Sequence, residues 1–233
     1  MKIDKIVEIL KKEIEDGKYD ETGKIPTEES LVDKFDTSKY SIRKAIDRLE
    51  GMSYLYKIHG SGIYLRERKK YGYIDLRNIS GISSEFDSNK VLSIPIKIEI
   101  SKANEEDIKI FNCDKNTEFY RIVRLRCIDN VPYAIEYSSF KKEIVRYLDK
   151  KIVSSSIFQY LKDKLNLKIG FADKYILARK LTKFESEKLD LNYEDPTIIV
   201  HDIVHLKTGE KFANSETVYN YKLAKFFLLS RVD

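Results

Sequence analysis

Residues 23–65 have the sequence GKIPTEESLVDKFDTSKYSIRKAIDRLEGMSYLYKIHGSGIYL, in which the spacing of apolar residues changes from helical to alternating. The pattern predicts helices over 30–35 and 39–52, a turn at 36–38, and strands over 54–58 and 63–65. The two strands enclose a tip with the sequence His59-Gly60-Ser61-Gly62. Two helices joined by a tight turn and followed by a glycine-tipped hairpin indicate a winged helix-turn-helix, which places its second helix in the DNA major groove.

The flanking residues complete this prediction. Apolar residues recur at helical spacing over 3–16, which predicts a first helix at the back of the domain. Thr27 is a candidate N-cap for the next helix, because its hydroxyl can accept a backbone N–H and acidic residues follow it. The amphipathic split of helix 39–52 leaves an outward face made of Lys39, Tyr40, Arg43, Lys44 and Asp47.

The basic charge of the chain is concentrated on the same segment. Residues 37–70 contain nine Lys or Arg and three acidic residues, whereas the net charge of the whole chain is only +5. This excess lies where a winged helix domain contacts phosphates. A solvated surface can show such a run as well, so charge by itself does not separate the two interpretations.

The overall composition is that of a folded protein with room for two domains. The chain has 233 residues, of which 42% are hydrophobic and 35% are charged. The sequence shows no secretory signal and no apolar run near the ~20 residues that a membrane span needs. Because only two cysteines occur, Cys113 and Cys127, we expect a cytoplasmic protein with reduced thiols.

The second half of the chain predicts strands that return through short turns, with helices between them. The expected strands cover 91–100, 118–129, 133–140, 171–181, 197–206 and 212–219. The expected helices cover 102–111, 154–165 and 182–189, and turns are expected at 130–132 and 207–210. This alternation predicts an α+β domain on an antiparallel sheet. We therefore expect a DNA-binding domain over 1–67, a basic linker over 68–78 and a second domain over 79–233.

Taken together, these motifs resemble the GntR-type family of bacterial regulators. The first domain matches the family signature at 23–28, 38–49 and 59–62. The second half is similar to the UTRA effector domain of the HutC subfamily at 91–92, 121–126, Pro132, Glu136, 156–158 and 217–219. The resemblance covers nearly the whole chain and implies a chorismate-lyase-like α+β fold for the second domain.

The resemblance also implies a function. Members of the family bind palindromic operators as homodimers, and most are repressors of catabolic operons. A small molecule in the second domain changes DNA affinity, and many members respond to phosphorylated sugars. We therefore expect a repressor released by a sugar phosphate, with no catalytic residues and no cofactor. The alternatives are a non-phosphate effector, an enzyme acting on a small carboxylate or phosphate, and an architectural DNA binder.

The candidate DNA-binding residues lie on the turn, the second helix and the wing. They are Thr27, Ser38, Lys39, Tyr40, Ser41, Arg43, Lys44, His59, Gly60 and Ser61. Arg43 is the candidate for a bidentate contact with guanine, which contributes about 1–3 kcal/mol of discrimination. Ser38 and Ser41 suit phosphate or backbone contacts, and the resemblance implies that the wing tip enters the minor groove. The alternatives are a surface ion pair between Arg43 and Asp47 and an ordinary flexible hairpin.

Several positions depart from the family pattern. Glu29 occupies a position where many relatives have a phosphate-contacting arginine, and Lys39 replaces a common arginine. Asp36 and Ser53 stand where glycine is usual, and Phe158 replaces a frequent tyrosine. Asp tolerates left-handed backbone better than most residues. These changes affect the operator sequence and the effector rather than DNA binding itself.

The candidate effector residues centre on strand 118–129. Arg124 and Arg126 share one face, about 7 Å apart along the strand, and would repel each other unless an anion or an acid such as Glu136 lay between them. The resemblance implies a pocket formed by Ser83, Ser84, Arg124, Arg126, Glu136, Ser156, Phe158 and Tyr219. Ser156 begins a predicted helix, where free N–H groups favour a phosphate. The alternatives are a solvent-exposed, salt-bridged strand face and a plain helix cap.

Metal and nucleotide chemistry are not indicated. His201 and His205 are four residues apart, but they fall in a predicted strand rather than on a helix. A metal site is therefore not expected there. The sequence contains no nucleophile elbow, P-loop or dinucleotide fingerprint.

Overall fold

The computed structural model describes residues 1–52, 54–66, 72–79, 82, 86 and 90–228. These residues form two compact units. The described residues of the first unit fall within Met1–Lys70, and those of the second fall within Tyr71–Leu228.

The first unit has the three helices and the hairpin that the sequence predicts. Its elements are α1 (Ile3–Glu15), α2 (Glu28–Phe35), α3 (Lys39–Gly51), β1 (Leu55–Ile58) and β2 (Gly62–Leu65). One apolar cluster joins all three helices to β1, and it includes Leu10, Leu31, Ile42, Leu49 and Leu55. Each of these five side chains is fully buried, so the amphipathic stripe predicted on α3 is confirmed.

Side chains cap both helices of the helix-turn-helix. The Thr27 hydroxyl accepts the backbone N–H of Ser30 and begins α2, as predicted. The Ser38 hydroxyl accepts the backbone N–H of Ser41 at 3.2 Å and begins α3. Asp36 ends α2 with a φ of 45°, the left-handed conformation that a glycine adopts without strain. The turn between the helices is therefore fixed at each end by a short polar side chain.

The wing includes residues that precede the helix-turn-helix in sequence. The Ile25 N–H donates to the Ile63 carbonyl at 3.1 Å, and the Leu65 N–H donates to the Gly23 carbonyl at 2.9 Å. Residues 23–25 therefore lie beside β2, with an isolated antiparallel bridge between Lys24 and Tyr64. The tip turns at Gly60, whose φ is +73°, and β1 pairs with β2 on either side of it, so the predicted glycine-tipped hairpin is confirmed.

The second unit is built on a six-stranded antiparallel sheet. Its strands are β4 (Val91–Lys102), β5 (Glu118–Ile128), β6 (Val131–Lys141), β7 (Ile169–Lys180), β8 (Pro196–Leu206) and β9 (Lys211–Asn220). The spatial order is β4-β5-β6-β9-β8-β7, and all neighbours are antiparallel. The helices are α4 (Glu105–Phe111), α5 (Lys150–Val153), α6 (Ile157–Asp163) and α7 (Lys183–Leu189). The α+β prediction is confirmed.

Different helices pack on the two faces of this sheet. Helices α5 and α6 contribute Val153, Ile157 and Leu161 to an apolar cluster with Ile122 on β5. Leu189 of α7 belongs to a separate cluster with other sheet residues. Because successive strand residues face opposite sides, Arg124 and Arg126 lie on the same face as Ile122. Arg124 and Arg126 therefore lie on the α5–α6 side.

A second, smaller sheet was not predicted from the sequence. Strand β3 (Ile74–Asp75) pairs in parallel with β10 (Phe226–Phe227). Strand β3 lies within 68–78, the stretch that the sequence predicts as a linker. Ile74 and Leu76 are buried in a cluster with Tyr133 and Tyr219.

One predicted turn was misplaced. The β5–β6 turn is formed by Asp129 and Asn130, which have φ values of 49° and 65°, and not by residues 130–132. The single helix predicted over 154–165 is confirmed as α6, which Ser156 caps, and the short helix α5, which Asp149 caps just before that range, was not predicted.

Candidate functional site

The outward face of α3 presents the candidate DNA contacts together. Lys39, Tyr40, Arg43 and Lys44 are all exposed, and Tyr40 is 67% exposed. The Lys44 Nζ lies 5.9 Å from the centroid of the Tyr40 ring. An exposed aromatic ring flanked by basic side chains at the N-terminal half of a recognition helix suits contact with bases and phosphates.

Two of these basic side chains already pair with acids on α2. The Arg43 Nε donates to Glu28 Oε2 at 2.8 Å, and the Lys39 Nζ lies 2.5 Å from Glu29 Oε1. A hydrogen bond from Lys39 lowers the pKa of the Glu29 carboxyl. The alternative interpretation, a surface ion pair between Arg43 and Asp47, named the wrong acid. Arg43 pairs with Glu28, and Asp47 instead accepts a hydrogen bond from Lys57.

The candidate hydroxyls are close together and partly used within the protein. The Ser38 and Ser41 hydroxyl oxygens are 3.0 Å apart, and those of Thr27 and Ser30 are 3.1 Å apart. Each cap hydroxyl also accepts a backbone N–H. Because a hydroxyl has one donor and two acceptor sites, these groups can still contact a phosphate while holding the helix ends.

The wing tip is exposed, and a lysine lies beside it. His59, Gly60 and Ser61 are all exposed. The Lys24 Nζ lies 4.5 Å from the Tyr64 ring centroid and 3.5 Å from the Ser61 carbonyl oxygen. The sequence analysis missed Lys24, because residues 23–25 look like a loop. The available signal was Pro26, which favours extended backbone in the residue before it.

A cleft lies on the α5–α6 side of the large sheet, within the second unit. The cleft is narrow, with a cavity volume of about 30 Å³. Its floor is formed by strands β5 to β9. Its walls are formed by Phe158 of α6 and by Ile74, Asp75, Leu76, Asn78, Ile79 and Ile82. The charged residues that line it are Asp75, Arg124, Arg126, Glu136, Lys174 and Asp202.

Glu136 lies between the two predicted arginines. Arg124 donates to Glu136 from Nε and Nη2 at 2.9–3.2 Å, and Arg126 donates to it from Nη1 at 3.2 Å. The expectation that an acid separates the two guanidinium groups is confirmed. Arg124 and Arg126 are only 3% and 2% exposed, so the alternative of a solvent-exposed strand face was wrong.

Arg124 also fixes the segment between α5 and α6. Its Nη1 donates to the carbonyl oxygens of Val153 and Ser155, both at 3.0 Å. Its five N–H groups are thus matched by hydrogen bonds to Glu136 and to these two carbonyls. A ligand anion can contact Arg124 in this arrangement only by displacing one of these partners.

Burial and neighbouring charges shift the pKa values of Glu136 and Arg126. Burial raises the pKa of Glu136, but the charges of Arg124 and Arg126 outweigh it and lower the pKa to about 2. Burial, together with the charge of Arg124, lowers the pKa of Arg126 to about 10. All three side chains are therefore charged at neutral pH, with a net charge of +1.

The remaining predicted effector residues fall in different places. Phe158 and Tyr219 line the cleft. Ser156 caps α6 by accepting the Gln159 N–H at 3.3 Å, which matches the plain-cap alternative, and it is not among the described lining residues. Ser83 and Ser84 lie outside the described residues.

The structure adds polar residues that the sequence analysis missed. Lys174 and Asp202 line the cleft on β7 and β8, with Ser215 and Thr217 beside them on β9. The Lys174 Nζ lies 2.5 Å from Asp202 Oδ1. The sequence contained a signal for Asp202, because this acidic residue interrupts a strand of otherwise apolar residues, and such strands are typically buried.

Two other features bear on the range of possible functions. His201 and His205 lie on β8 and contact Asn214 and Asp173, and the described part of the chain holds no cluster of three or more metal-ligating side chains. Among the described helices, none combines the length and apolar character that a membrane crossing requires.

Comparisons with known proteins agree with this architecture. The model for bacterial regulatory proteins of the gntR family matches residues 2–65, and the UTRA domain model matches residues 90–224. YydK of Bacillus subtilis, an uncharacterized HTH-type transcriptional regulator, is 32% identical over 97% of this chain and 96% of its own length. Its crystal structure superposes with a TM-score of 0.88 over 99% of this chain and all of that chain.

A second relative is a regulator whose effector-binding domain has a solved structure. The HTH-type transcriptional regulator TreR of Bacillus subtilis is 28% identical over 97% of this chain and 96% of its own length. The effector-binding domain of this trehalose repressor superposes with a TM-score of 0.56 and 25% identity, over 61% of this chain and 99% of that chain.

Proposed function

The chain belongs to the GntR family of bacterial regulatory proteins, with a UTRA domain as its second unit, and we propose on this premise that it is a repressor which a phosphorylated sugar releases from DNA. A transcription regulator of this family combines a DNA-binding unit with an effector-binding unit, and the relatives of this chain include a trehalose repressor. The family identifies the chain as a transcription regulator rather than an enzyme.

On the DNA side, α3 enters the major groove. Arg43 contacts a guanine, Lys39 and Lys44 contact phosphates, and Tyr40 lies against the groove wall. The hydroxyls of Thr27, Ser38 and Ser41 hold phosphates at the helix starts, while His59, Gly60 and Ser61 follow the minor groove. We propose that a homodimer presents two such units to a palindromic operator, because a protein with two-fold symmetry matches a DNA sequence with the same symmetry.

On the effector side, the buried Arg124–Glu136–Arg126 network is the observation that supports a phosphate. Two guanidinium groups share one carboxylate, which leaves a net positive charge on the floor of a cleft. Guanidinium groups bind phosphates through paired N–H groups. The expectation that Ser83, Ser84 and Ser156 add hydroxyls to the phosphate site stands as part of this proposal, with Phe158 and Tyr219 as apolar walls.

The same network provides a route for coupling. A phosphate that takes N–H groups of Arg124 removes them from Glu136 or from the carbonyls of Val153 and Ser155. The segment between α5 and α6 must then adopt a different arrangement in the bound state. Such differential contacts are what a ligand needs to shift a conformational equilibrium, and a change of about 1–3 kcal/mol in DNA affinity suffices for regulation.

A non-phosphate catabolite is the second candidate. The described lining contains three acidic side chains as well as three basic ones, which also suits a neutral polyol or an amine.

Calorimetric titration of the full-length protein separates the two candidates. Each sugar phosphate is paired with its parent sugar and with inorganic phosphate. The proposal predicts micromolar affinity for one sugar phosphate, loss of at least tenfold without the phosphate, and a similar loss in Arg126→Met. Equal affinity for a parent sugar and its phosphate would contradict the phosphate assignment and favour the second candidate.

A further inference from the structure

The wing carries a lysine that none of the proposed DNA contacts includes. Lys24 precedes the helix-turn-helix in sequence, but its backbone lies against β2 through the bridge to Tyr64. The residues on either side of it, Gly23 and Ile25, both form backbone hydrogen bonds with β2. The backbone of Lys24 is therefore fixed relative to the wing, although the residue belongs to neither strand of the hairpin.

The side chain of Lys24 is held beside the wing tip. Its Nζ lies 3.5 Å from the Ser61 carbonyl oxygen and 4.5 Å from the centroid of the Tyr64 ring, within the range of a cation–π interaction. The Tyr64 ring stacks in turn on Tyr56, with the two centroids 5.4 Å apart. Hydrogen bonds with Lys24 and Ser61 lower the pKa of the Tyr64 hydroxyl. One side of the wing therefore presents an ammonium on two stacked rings.

These contacts restrict a tip with high backbone freedom. Gly60 and Gly62 have φ values of +73° and +131°, and glycine has the largest conformational freedom of any residue. Ser61 lies between them and is contacted by Lys24 through its carbonyl and by Tyr64 through its hydroxyl. Because the tip is already ordered by these contacts, it loses less conformational entropy when it binds.

Lys24 also differs from other basic residues of the unit in its partners. Lys39, Arg43 and Lys57 each form an ion pair with an acidic side chain. Within the described residues, Lys24 pairs with no carboxylate. An ammonium has three donors, so the contact with Ser61 leaves N–H groups available. A phosphate that binds Lys24 therefore displaces no intramolecular acid, whereas a phosphate on Lys39 or Arg43 competes with one.

The minor groove places phosphates beside any tip that enters it. The groove is only about 6 Å wide, and a sugar-phosphate backbone borders it on each side. The Lys24 side chain is exposed and its Nζ contacts the backbone of the tip. When the tip lies in the groove, this ammonium is within reach of the bordering phosphates.

We propose that Lys24 contacts a phosphate at the border of the minor groove and that the stacked rings of Tyr64 and Tyr56 hold its ammonium in position. The ammonium donates to a phosphate oxygen, which carries no base information. This inference rests on the proposed entry of the wing tip into the minor groove. It adds a contact from a segment outside both the helix-turn-helix and the hairpin.

The test is fluorescence anisotropy of the full-length protein over a series of salt concentrations. The wild type, Lys24→Met and Lys24→Arg are titrated on DNA from upstream of the protein's own gene and on random DNA. The matched control is Lys11→Met, which removes the same charge from α1, where the Lys11 Nζ also lies near a tyrosine ring, 5.6 Å from that of Tyr54. His59→Ala and Ser61→Ala report separately on the tip, and thermal unfolding verifies that each variant folds.

Each phosphate contact contributes about 0.9 to the slope of log affinity against log salt concentration. Lys24→Met should therefore reduce this slope by about 0.9 and weaken binding to both DNAs equally, roughly threefold to tenfold at about 0.1 M salt. Lys24→Arg should retain the wild-type slope, because a guanidinium also stacks on aromatic rings and binds phosphate. Lys11→Met should change neither the slope nor the affinity.

Three results would overturn the proposal in different ways. Weaker binding of Lys24→Met with the wild-type slope would show that Lys24 holds the wing without contacting a phosphate. Wild-type affinity of Lys24→Met, with weaker binding of His59→Ala and Ser61→Ala, would overturn the role of Lys24 and leave the wing contact intact. Wild-type affinity of all three variants would overturn both.

Discussion

Replacement of Arg124 by methionine tests whether the buried charge network holds the second unit together. The change keeps the length and apolar stem of the side chain but removes every N–H group. Glu136 then retains Arg126 and the Ser138 hydroxyl as partners. The carbonyls of Val153 and Ser155 lose the donor that they share.

The expected cost follows from these lost contacts. Removing one partner of a buried ion pair typically costs about 3–5 kcal/mol, because the remaining charge stays buried. Glu136 keeps Arg126 as a partner, so we expect the lower end of this range, about 3 kcal/mol. Each 1 kcal/mol lowers the Tm by about 2–4 °C for a domain of 150–250 residues. The Tm of the second unit should therefore fall by about 6–12 °C.

Differential scanning calorimetry of the full-length protein at pH 7 measures this change. Lys180→Met is the matched control, because it removes an ion pair whose side chains are 70% and 50% exposed, and such pairs contribute little. Its Tm should stay within about 2 °C of wild type. A similarly small shift for Arg124→Met would refute the reasoning, since Glu136 could then not be a buried charge that depends on Arg124.

Four further outcomes follow from the structure. Arg43→Ala should reduce discrimination between operator and random DNA by about 1–3 kcal/mol; equal loss on both DNAs in an anisotropy assay would exclude a base contact. Glu29→Gln releases Lys39 from its ion pair and should raise affinity for random DNA roughly threefold to tenfold at low salt, and unchanged affinity would mean that the pair does not compete with phosphate. Gly170→Ala should lower the Tm in calorimetry, because a Cβ there would lie 2.8 Å from the Leu206 carbonyl oxygen; a wild-type Tm would show that the backbone relaxes freely. The folded-state pKa of Glu136 is about 2, below its ordinary value of 4.5. The stability that its ionised carboxylate contributes is therefore present above pH 4.5 and is lost as the pH falls towards 2. In a plot of Tm against pH, Glu136→Gln should therefore show a smaller fall in Tm at acid pH than the wild type.

The DNA-binding unit could be predicted from sequence because its signals are local. The apolar stripe that ends at Leu49 runs along α3 itself, and the predicted cap Thr27 directly precedes α2. The glycine at position 60 marks the tight turn of the wing. The partners of Arg43 could not be predicted, because an Asp47 four residues away is closer in sequence than the Glu28 that the fold brings to it.

The second unit shows where local signals end. Pro132 suggested a turn at 130–132, but the left-handed conformations of Asp129 and Asn130 place it earlier. Strand β3 has two residues and pairs with β10 about 150 residues later, so no periodicity marks it. The contact of Lys174 with Asp202 depends on the register of β7 against β8, which alternation alone does not fix. The Arg124–Glu136 contact could be predicted from the sequence, because a short hairpin connects the two strands that carry these residues.

Release of operator DNA by an effector is the most direct test of the central claim. The measurement is fluorescence anisotropy of the full-length protein on DNA from upstream of its own gene, titrated with a panel of sugar phosphates and their parent sugars at moderate salt. The account predicts tight binding to this DNA over random DNA, and release by one sugar phosphate at micromolar concentration. Sequence-specific binding that no sugar phosphate or parent sugar changes would contradict the proposed effector, and binding without preference for any sequence would contradict the account as a whole.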